Sequence, residues 1–394
     1  MTETDIDSAS NTSDIVILLL AVSTIFLSTF IHGVLLEYSD IYSILLDRSR
    51  GDTVYGVPYV DFRFEYPPFV GFLWALSSYL TRIIQTQDPV KTHMYVLFVL
   101  NALFYALYVY TVVELSAYVR SGLVRILLSI ASFSMVYYLM YNWDIVAISL
   151  ALLSLLYLFR ERYTISSIIL SLSILTKLLT APLYLSILYY SYKRGLLKEG
   201  VRGIIISLFI ILGSISSLMI ISPRFYEYFI EYHSNWYCEN CFYILFTDNI
   251  WDPSLRIVSI SLMLLSPLLV TLSIASGDCD RDLYLRSYSI GVLSTALMIS
   301  FSYVYSPQMN IMIMPLYMIL SRRTIPIMLA SDLLNTLIMI LWFRTDIFTS
   351  LGLSSPSPHF RTSPIQWIAF SRIILLWIVV FSLVVGFIRT RVKT

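Results

Sequence analysis

Long apolar runs separated by short polar turns fill the chain, near residues 15–36, 67–83, 93–119, 125–141, 145–159, 164–178, 180–192, 203–222, 254–275, 287–305, 308–321, 325–343 and 365–388. The longest are unbroken over about 27 residues, where the strands of a membrane barrel would alternate over roughly 10. A backbone in lipid must satisfy its own hydrogen bonds, so unbroken apolar runs become helices. The pattern predicts an all-α, polytopic transmembrane bundle of about 11–13 membrane segments, several of them short of the roughly 20 residues a full span needs and therefore broken, tilted or re-entrant. The abundant Ser and Tyr within the runs read as packing residues, since small hydroxyl groups let helices approach and Tyr favours interfaces.

Composition agrees with this class. The chain is 58% hydrophobic and 13% charged, against about 25% charged in soluble domains, and its mean hydropathy is +0.77. The excess is even along the length, so residues 1–394 read as one integral membrane domain. A net charge of +1 excludes a nucleic-acid footprint. Residues 1–14 form a polar, acidic tail without the basic region and cleavage site of a signal peptide, so the first run is expected to be a retained helix. Three cysteines do not make a disulfide scaffold.

Lys/Arg bias sets the expected orientation. Arg120/Arg125, Arg160/Arg162, Lys193/Arg194/Lys198/Arg202, Arg281/Arg286, Arg322/Arg323 and Arg389/Arg391/Lys393 mark a cytoplasmic side. The other side receives Asn142-Trp143-Asp144, Lys177, loop 223–253, Ser306-Pro307-Gln308 and loop 344–364. Strict alternation does not close between residues 67 and 119, so one segment there is expected not to be a simple span.

Against this background the outer loop 37–66 is unusual. It holds Asp40, Asp47, Asp52, Asp61 and Glu65, with Arg48, Arg50 and Arg63 among them, and ends in Tyr66-Pro67-Pro68. Solvation of an amphipathic loop is one explanation. Chemistry is the other, because transfer onto a hydroxyl needs a carboxylate to take the proton, and Asp40 sits nearest the membrane end of the first helix. The two prolines make a rigid joint that holds Glu65 and Tyr66.

Further polar groups stand out. Asp144 in Asn142-Trp143-Asp144 is either a helix cap or a working carboxylate. Lys177, among apolar residues and away from the basic side, either snorkels to headgroups or binds an anion such as a lipid phosphate. Loop 223–253 is dense in aromatics, with Glu227, Glu231, His233 and Glu239; aromatic faces stack on sugars and edge a membrane equally well. Cys238 and Cys241 form a lone CxxC, weak evidence for zinc and compatible with a local disulfide. Gln308, in Tyr305-Ser306-Pro307-Gln308, opens a helix or faces a cavity. No nucleotide-binding, zinc-protease or serine-hydrolase motif occurs.

In this order the motifs resemble a family. Ser39-Asp40-Ile41-Tyr42, Gly51-Asp52-Thr53-Val54-Tyr55 and Tyr66-Pro67-Pro68-Phe69 resemble the first outer loop of GT-C polyprenyl-phosphate-sugar glycosyltransferases. The likeness is strongest to the polyprenol-phosphate-mannose-dependent mannosyltransferases and the GPI mannosyltransferase I catalytic subunit. Asn142-Trp143-Asp144 with Lys177 and Pro182 resembles that family's N-x-D … K-x-x-P hairpin, although Pro182 falls late. Tyr305-Ser306-Pro307-Gln308 with Pro315 is similar to its SPQ … LP segment. Tyr232-His233 resembles a YH stretch followed in the family by Arg, where this chain has Trp236. The tail beyond about residue 325 matches only as more helices.

The resemblance implies a GT-C-like fold and inverting transfer of a hexose, mannose foremost, from a polyprenyl-phosphate donor to a lipid-linked or glycan acceptor. The site would lie on the extracytoplasmic face of a multi-pass protein of the cell membrane, without nucleic acid. It implies Asp40 as catalytic base; Lys177, Asp144, Asn142 and Gln308 at the donor and its phosphate; and Asp52, Glu65, Tyr66 and His233 on the acceptor side. A monophosphate leaving group does not demand a divalent metal, so no obligatory metal or cofactor is expected. The rival reading is a multi-pass transporter or lipid flippase, which predicts paired broken helices in symmetric halves; a non-catalytic scaffold is the third.

Overall fold

The computed structural model describes residues 3–47, 54–247, 249–276, 282–344, 346–352 and 357–391. Helix follows helix throughout. Helix α1 (Glu3–Thr29) widens into a π-turn at Phe30–Val34, and a short α2 (Asp40–Asp47) follows. Next come α3 (Pro68–Ile84) and α4 (Pro89–Val119), each with a proline in its first turn. The Asp88 carboxylate caps α4 by accepting from the Lys91 amide at 3.0 Å.

The run expected over 125–141 is broken into α5 (Leu123–Ile130) and α6 (Phe133–Tyr138). Ser132 caps the second piece, accepting from the Met135 amide at 3.3 Å. The carbonyls freed at the break are taken up by α4, whose Tyr105 hydroxyl donates to Ile130 O at 2.6 Å and Tyr108 to Ser129 O at 3.1 Å. These tyrosines do more than pack: they supply the partners a broken helix needs in lipid.

A tight series then alternates between two ends of the bundle: α7 (Asp144–Phe159), α8 (Tyr163–Ile174), α9 (Leu183–Lys193) and α10 (Leu197–Ile221). Helices α8 and α10 touch closely. A methyl on Gly203 would lie 2.5 Å from Ser167 Oγ and 3.1 Å from Tyr163 O, so a larger residue would force Ser167 to move. The other flank of α10 is bare, with Ile220 83% exposed, as suits a surface that lipid would cover. After α11 (Tyr232–Ser234) come α12 (Pro253–Ala275) and α13 (Leu283–Ser300). A buried 3-10 helix, Pro307–Ile319, precedes α14 (Ile325–Phe343), α15 (Asp346–Ser350) and α16 (Pro364–Arg391). Among the described residues there is no sheet, only the isolated bridges Pro58 to Phe62 and Glu239 to Val304.

The protein is therefore an all-α bundle. By length and composition, six helices among the described residues are long and apolar enough to cross a membrane, and there are shorter apolar helices such as Pro68–Ile84 and Asp144–Phe159. The basic end is ordered by Arg160–Glu114 at 2.6 Å and Arg194–Glu161 at 3.4 Å. It lies the length of α7 from Asp144, 16 residues or about 24 Å. Arg286 is not a loop cation: it is buried in α13 and donates to Ile274 O at the end of α12, at 2.6 Å.

Candidate active site

Local sequence delivers Asp40 to the end of the bundle away from the basic turns. The buried His32 ring in the π-turn closing α1 donates through Nε2 to Tyr137 O at 2.7 Å, docking that turn on α6. Ser39 then caps α2, its Oγ accepting from the Tyr42 amide at 3.1 Å, which makes Asp40 the first helical residue. A carboxylate there is favoured by the helix dipole.

Chain segments far apart in sequence converge on this carboxylate. Tyr66 donates its hydroxyl to Asp40 Oδ2 at 2.6 Å. The amides of Asn142 and Gln308 approach the same oxygen at 3.4 and 3.5 Å, long for hydrogen bonds. Tyr66 is itself held by the Pro67-Pro68 joint and by Tyr59, whose hydroxyl donates to Tyr66 O at 2.6 Å. Tyr59 lies directly over Gly71 of α3, where an added methyl would sit 2.5 Å from its ring. The Tyr66 ring meets Trp143 edge-on at 4.6 Å, and Trp143 also contacts Phe64 and Trp74.

Asn142 ties this wall to a charged pair. Its Oδ1 accepts from the Asp144 amide at 2.9 Å, starting α7. The Asp144 carboxylate meets Lys177 Nζ at 3.0 Å, with side-chain exposures of 3% and 15%. Asp144 is thus both cap-region residue and ion-pair partner. Its Oδ2 is buried without a hydrogen-bond partner. The Phe69 amide donates to Leu175 O at 3.0 Å, joining the start of α3 to the turn that carries Lys177.

The remaining sequence candidates separate. Glu65 is buried, 6% exposed, and its backbone carbonyl accepts from His233 Nε2 at 2.7 Å, which stitches loop 37–66 to loop 223–253. His233 keeps accessible surface, yet desolvation by the surrounding protein, and secondarily the Lys177 ammonium, push its pKa below 6.5 to about 4. Asp61 is exposed and caps its own turn, accepting from the Val57 amide at 2.6 Å. Asp52 lies outside the described residues, as does the side chain of Asp47. Among the described residues no group of His, Cys, Asp and Glu is arranged to hold a metal ion.

Loop 223–253 adds residues that carry no catalytic role in the sequence reading. Cys238 and Cys241 are joined by a disulfide. Between them Glu239 pairs its backbone with the strand-like stretch before Gln308: its amide donates to Tyr303 O at 3.3 Å and its carbonyl accepts from Tyr305 at 2.9 Å. Its half-buried carboxylate accepts from Trp236 Nε1 at 2.8 Å. Burial raises its pKa above the ordinary 4.5 and Asp40 adds to the rise, while hydrogen bonds from Trp236 and Ser306 and the charge of Lys177 oppose it. Arg256, from the first turn of α12, donates to Ser234 O and to Trp236 O, the latter at 2.9 Å, and so holds the segment just after Tyr232-His233.

The tail is not merely more helices. Arg372 of α16, fully buried, donates to Asn335 Oδ1, to Tyr305 O at 2.5 Å and to Asn240 O at 3.2 Å, and lies over the Tyr305 ring at 3.7 Å. Asn335 of α14 donates to Pro307 O at 2.8 Å, and Asp332 accepts from Asn310 at 3.0 Å. The last helices therefore brace both the disulfide loop and the Ser306-Pro307-Gln308 turn. A lone Arg inside an apolar run was the sequence signal for this role.

No family model matches the chain, and no curated protein matches it significantly. Among solved structures, the chain is similar to the crystal structure of ArnT from Cupriavidus metallidurans bound to undecaprenyl phosphate, at 12% sequence identity over 98% of this chain and 78% of that one, with a TM-score of 0.48.

Proposed function

We propose that the chain is an integral membrane glycosyltransferase of the GT-C type. It moves a hexose, mannose foremost, from a polyprenyl-phosphate carrier to a lipid-linked or glycan acceptor with inversion, on the extracytoplasmic face. The observation that carries the reading is the convergence on Asp40 of Tyr66, Asn142 and Gln308, with Asn142 also orienting the residue whose carboxylate pairs with Lys177. These residues are the ones through which the motifs resemble polyprenyl-phosphate-sugar transferases.

In the reaction, Asp40 takes the proton of the acceptor hydroxyl as its oxygen bonds to the anomeric carbon. The bond from that carbon to the phosphate oxygen breaks, and its electron pair leaves with the lipid phosphate. Lys177 sits where a cation offsets that charge, and Asp144 holds it in place. Tyr66 fixes the Asp40 carboxylate through its hydroxyl. A phosphate monoester leaving group does not demand a divalent metal as a diphosphate often does, so no obligatory metal is part of the proposal.

The test is transfer by purified protein in lipid nanodiscs from polyprenyl-phosphate-mannose. Wild type transfers, and Asp40→Asn, which keeps shape and removes the base, slows transfer by about 10²–10⁴-fold with donor affinity kept. Wild-type rates from Asp40→Asn would sink the assignment.

A further inference from the structure

The glycosyl-transfer reading gives loop 223–253 only His233, on the acceptor side, and the geometry of the rest of the loop supplies a further task. We propose that Glu239, with the aromatic strip Tyr232, Trp236, Tyr237 and Trp251, forms a carbohydrate-binding subsite that holds the acceptor beside Asp40. The inference rests on the transferase reading and goes beyond it: the acceptor presents a sugar at this point, not a simple lipid alcohol.

Position comes first. Glu239 is bonded through its backbone to residues 303 and 305, just before the turn whose Gln308 reaches Asp40. The Asp40 charge is felt at the Glu239 carboxyl, as is that of Lys177. Glu239 therefore lies near the base, on the segment paired with the stretch that leads to Gln308.

Rigidity comes next. The Cys238–Cys241 disulfide closes the loop around Glu239, the Cys238 amide donates to Ile250 O at 2.8 Å, and Arg372 holds Asn240 O. A group that must fix a sugar hydroxyl gains from such pre-organisation, because little side-chain freedom remains to be lost on binding.

The chemistry of the strip selects the ligand. Trp236 and Tyr237 lie nearly parallel with centroids 5.2 Å apart, Tyr232 is 4.8 Å from Trp236, and Trp251 is 5.8 Å from Tyr237. Arg63 covers the Tyr232 ring at 4.7 Å. Aromatic residues that only anchor a membrane interface keep their polar ends for water and headgroups. Here the Trp236 N–H is spent inward, on the Glu239 carboxylate at 2.8 Å. A ring face beside a charged acceptor fits a pyranose, whose C–H face is apolar and whose hydroxyls donate, and hydrogen bonds to a charged acceptor are the strong kind.

The experiment uses full-length protein in nanodiscs and octyl glycosides of mannose, glucose and N-acetylglucosamine as acceptor probes, with octanol as the sugar-free control. At least one glycoside binds at equilibrium and octanol does not. Glu239→Gln weakens that binding about tenfold or more, a loss of about 1.4 kcal/mol. The KM for that probe rises in step, with donor KM unchanged. Trp236→Phe, which keeps an aromatic face and loses the N–H, shifts binding in the same direction and covers the case of a misfolded Glu239 variant. Binding of no glycoside, equal binding of octanol, or unchanged affinity in folded Glu239→Gln overturns the subsite. Absence of transfer by wild type with glycoside binding intact would instead overturn the transferase reading alone.

Discussion

Replacing Lys177 by Met removes the ammonium and keeps most of the stem. The ammonium lies 3.0 Å from Asp144 Oδ1, and the Asp144 side chain is only 3% exposed. Its other oxygen is already buried without a hydrogen-bond partner. The variant therefore leaves a carboxylate out of water with its cation gone, which costs about 3–5 kcal/mol in buried pairs. Asp144 is the first residue of α7, so the helix dipole offsets about 1 kcal/mol of this. The expected net loss is about 2–4 kcal/mol. Adding Asp144→Asn neutralises the stranded group and recovers most of that loss. It does not restore a cation for the donor phosphate. The assay is reversible unfolding in mixed micelles, alongside donor KM. A Lys177→Met loss under about 1 kcal/mol, or a double variant no more stable than the single, would refute the electrostatic account. Recovery of donor affinity in the double variant would refute a phosphate-binding role for Lys177.

Two further outcomes follow from the same wall. Gly71→Ala drives a methyl into the buried Tyr59 ring, which secures Tyr66; the overpacking costs about 1–3 kcal/mol by unfolding, and transfer falls with it, whereas full stability would show that the ring yields freely. His233 has a folded pKa near 4 against 6.5 ordinarily, so between those values the unfolded chain binds more protons and stability falls as pH drops. His233→Gln should flatten that slope. The comparison belongs in a Glu239→Gln background, because the raised Glu239 carboxyl acts with opposite sign just above pH 4.5, and an unchanged slope would contradict a desolvated imidazole.

Much of the bundle was legible because lipid imposes one rule, an internally bonded backbone, and apolar runs report it directly. The break at Ala131 was not, since it depends on Tyr105 and Tyr108 arriving from α4 to take the freed carbonyls. Asp40, Tyr66, Asn142, Asp144, Lys177 and Gln308 were legible as polar residues at the ends of apolar runs. Their pairing was not: nothing in the spacing says that Tyr66 binds Asp40 or that Lys177 binds Asp144. Glu239 and Arg372 were hidden for different reasons. In the sequence Glu239 is one more acid in a polar loop, and only the fold pairs its backbone with residues 303 and 305. Arg372 stood in plain view within an apolar run, but its partners, Asn240 and Tyr305, lie far back along the chain.

That last contact sets an order of assembly. Chains are made from the N-terminus, so α16 emerges after the segments it braces. Until it inserts, the carbonyls of Asn240 and Tyr305 lack the guanidinium that joins them. The earlier helices can therefore enter the membrane while the wall bearing Gln308 remains unassembled. On the proposed function, transfer would then wait for the insertion of α16. A chain stopped before Pro364 should insert, expose loop 223–253 to protease and lack transfer; a protected, active truncation would show that the wall closes without its final brace.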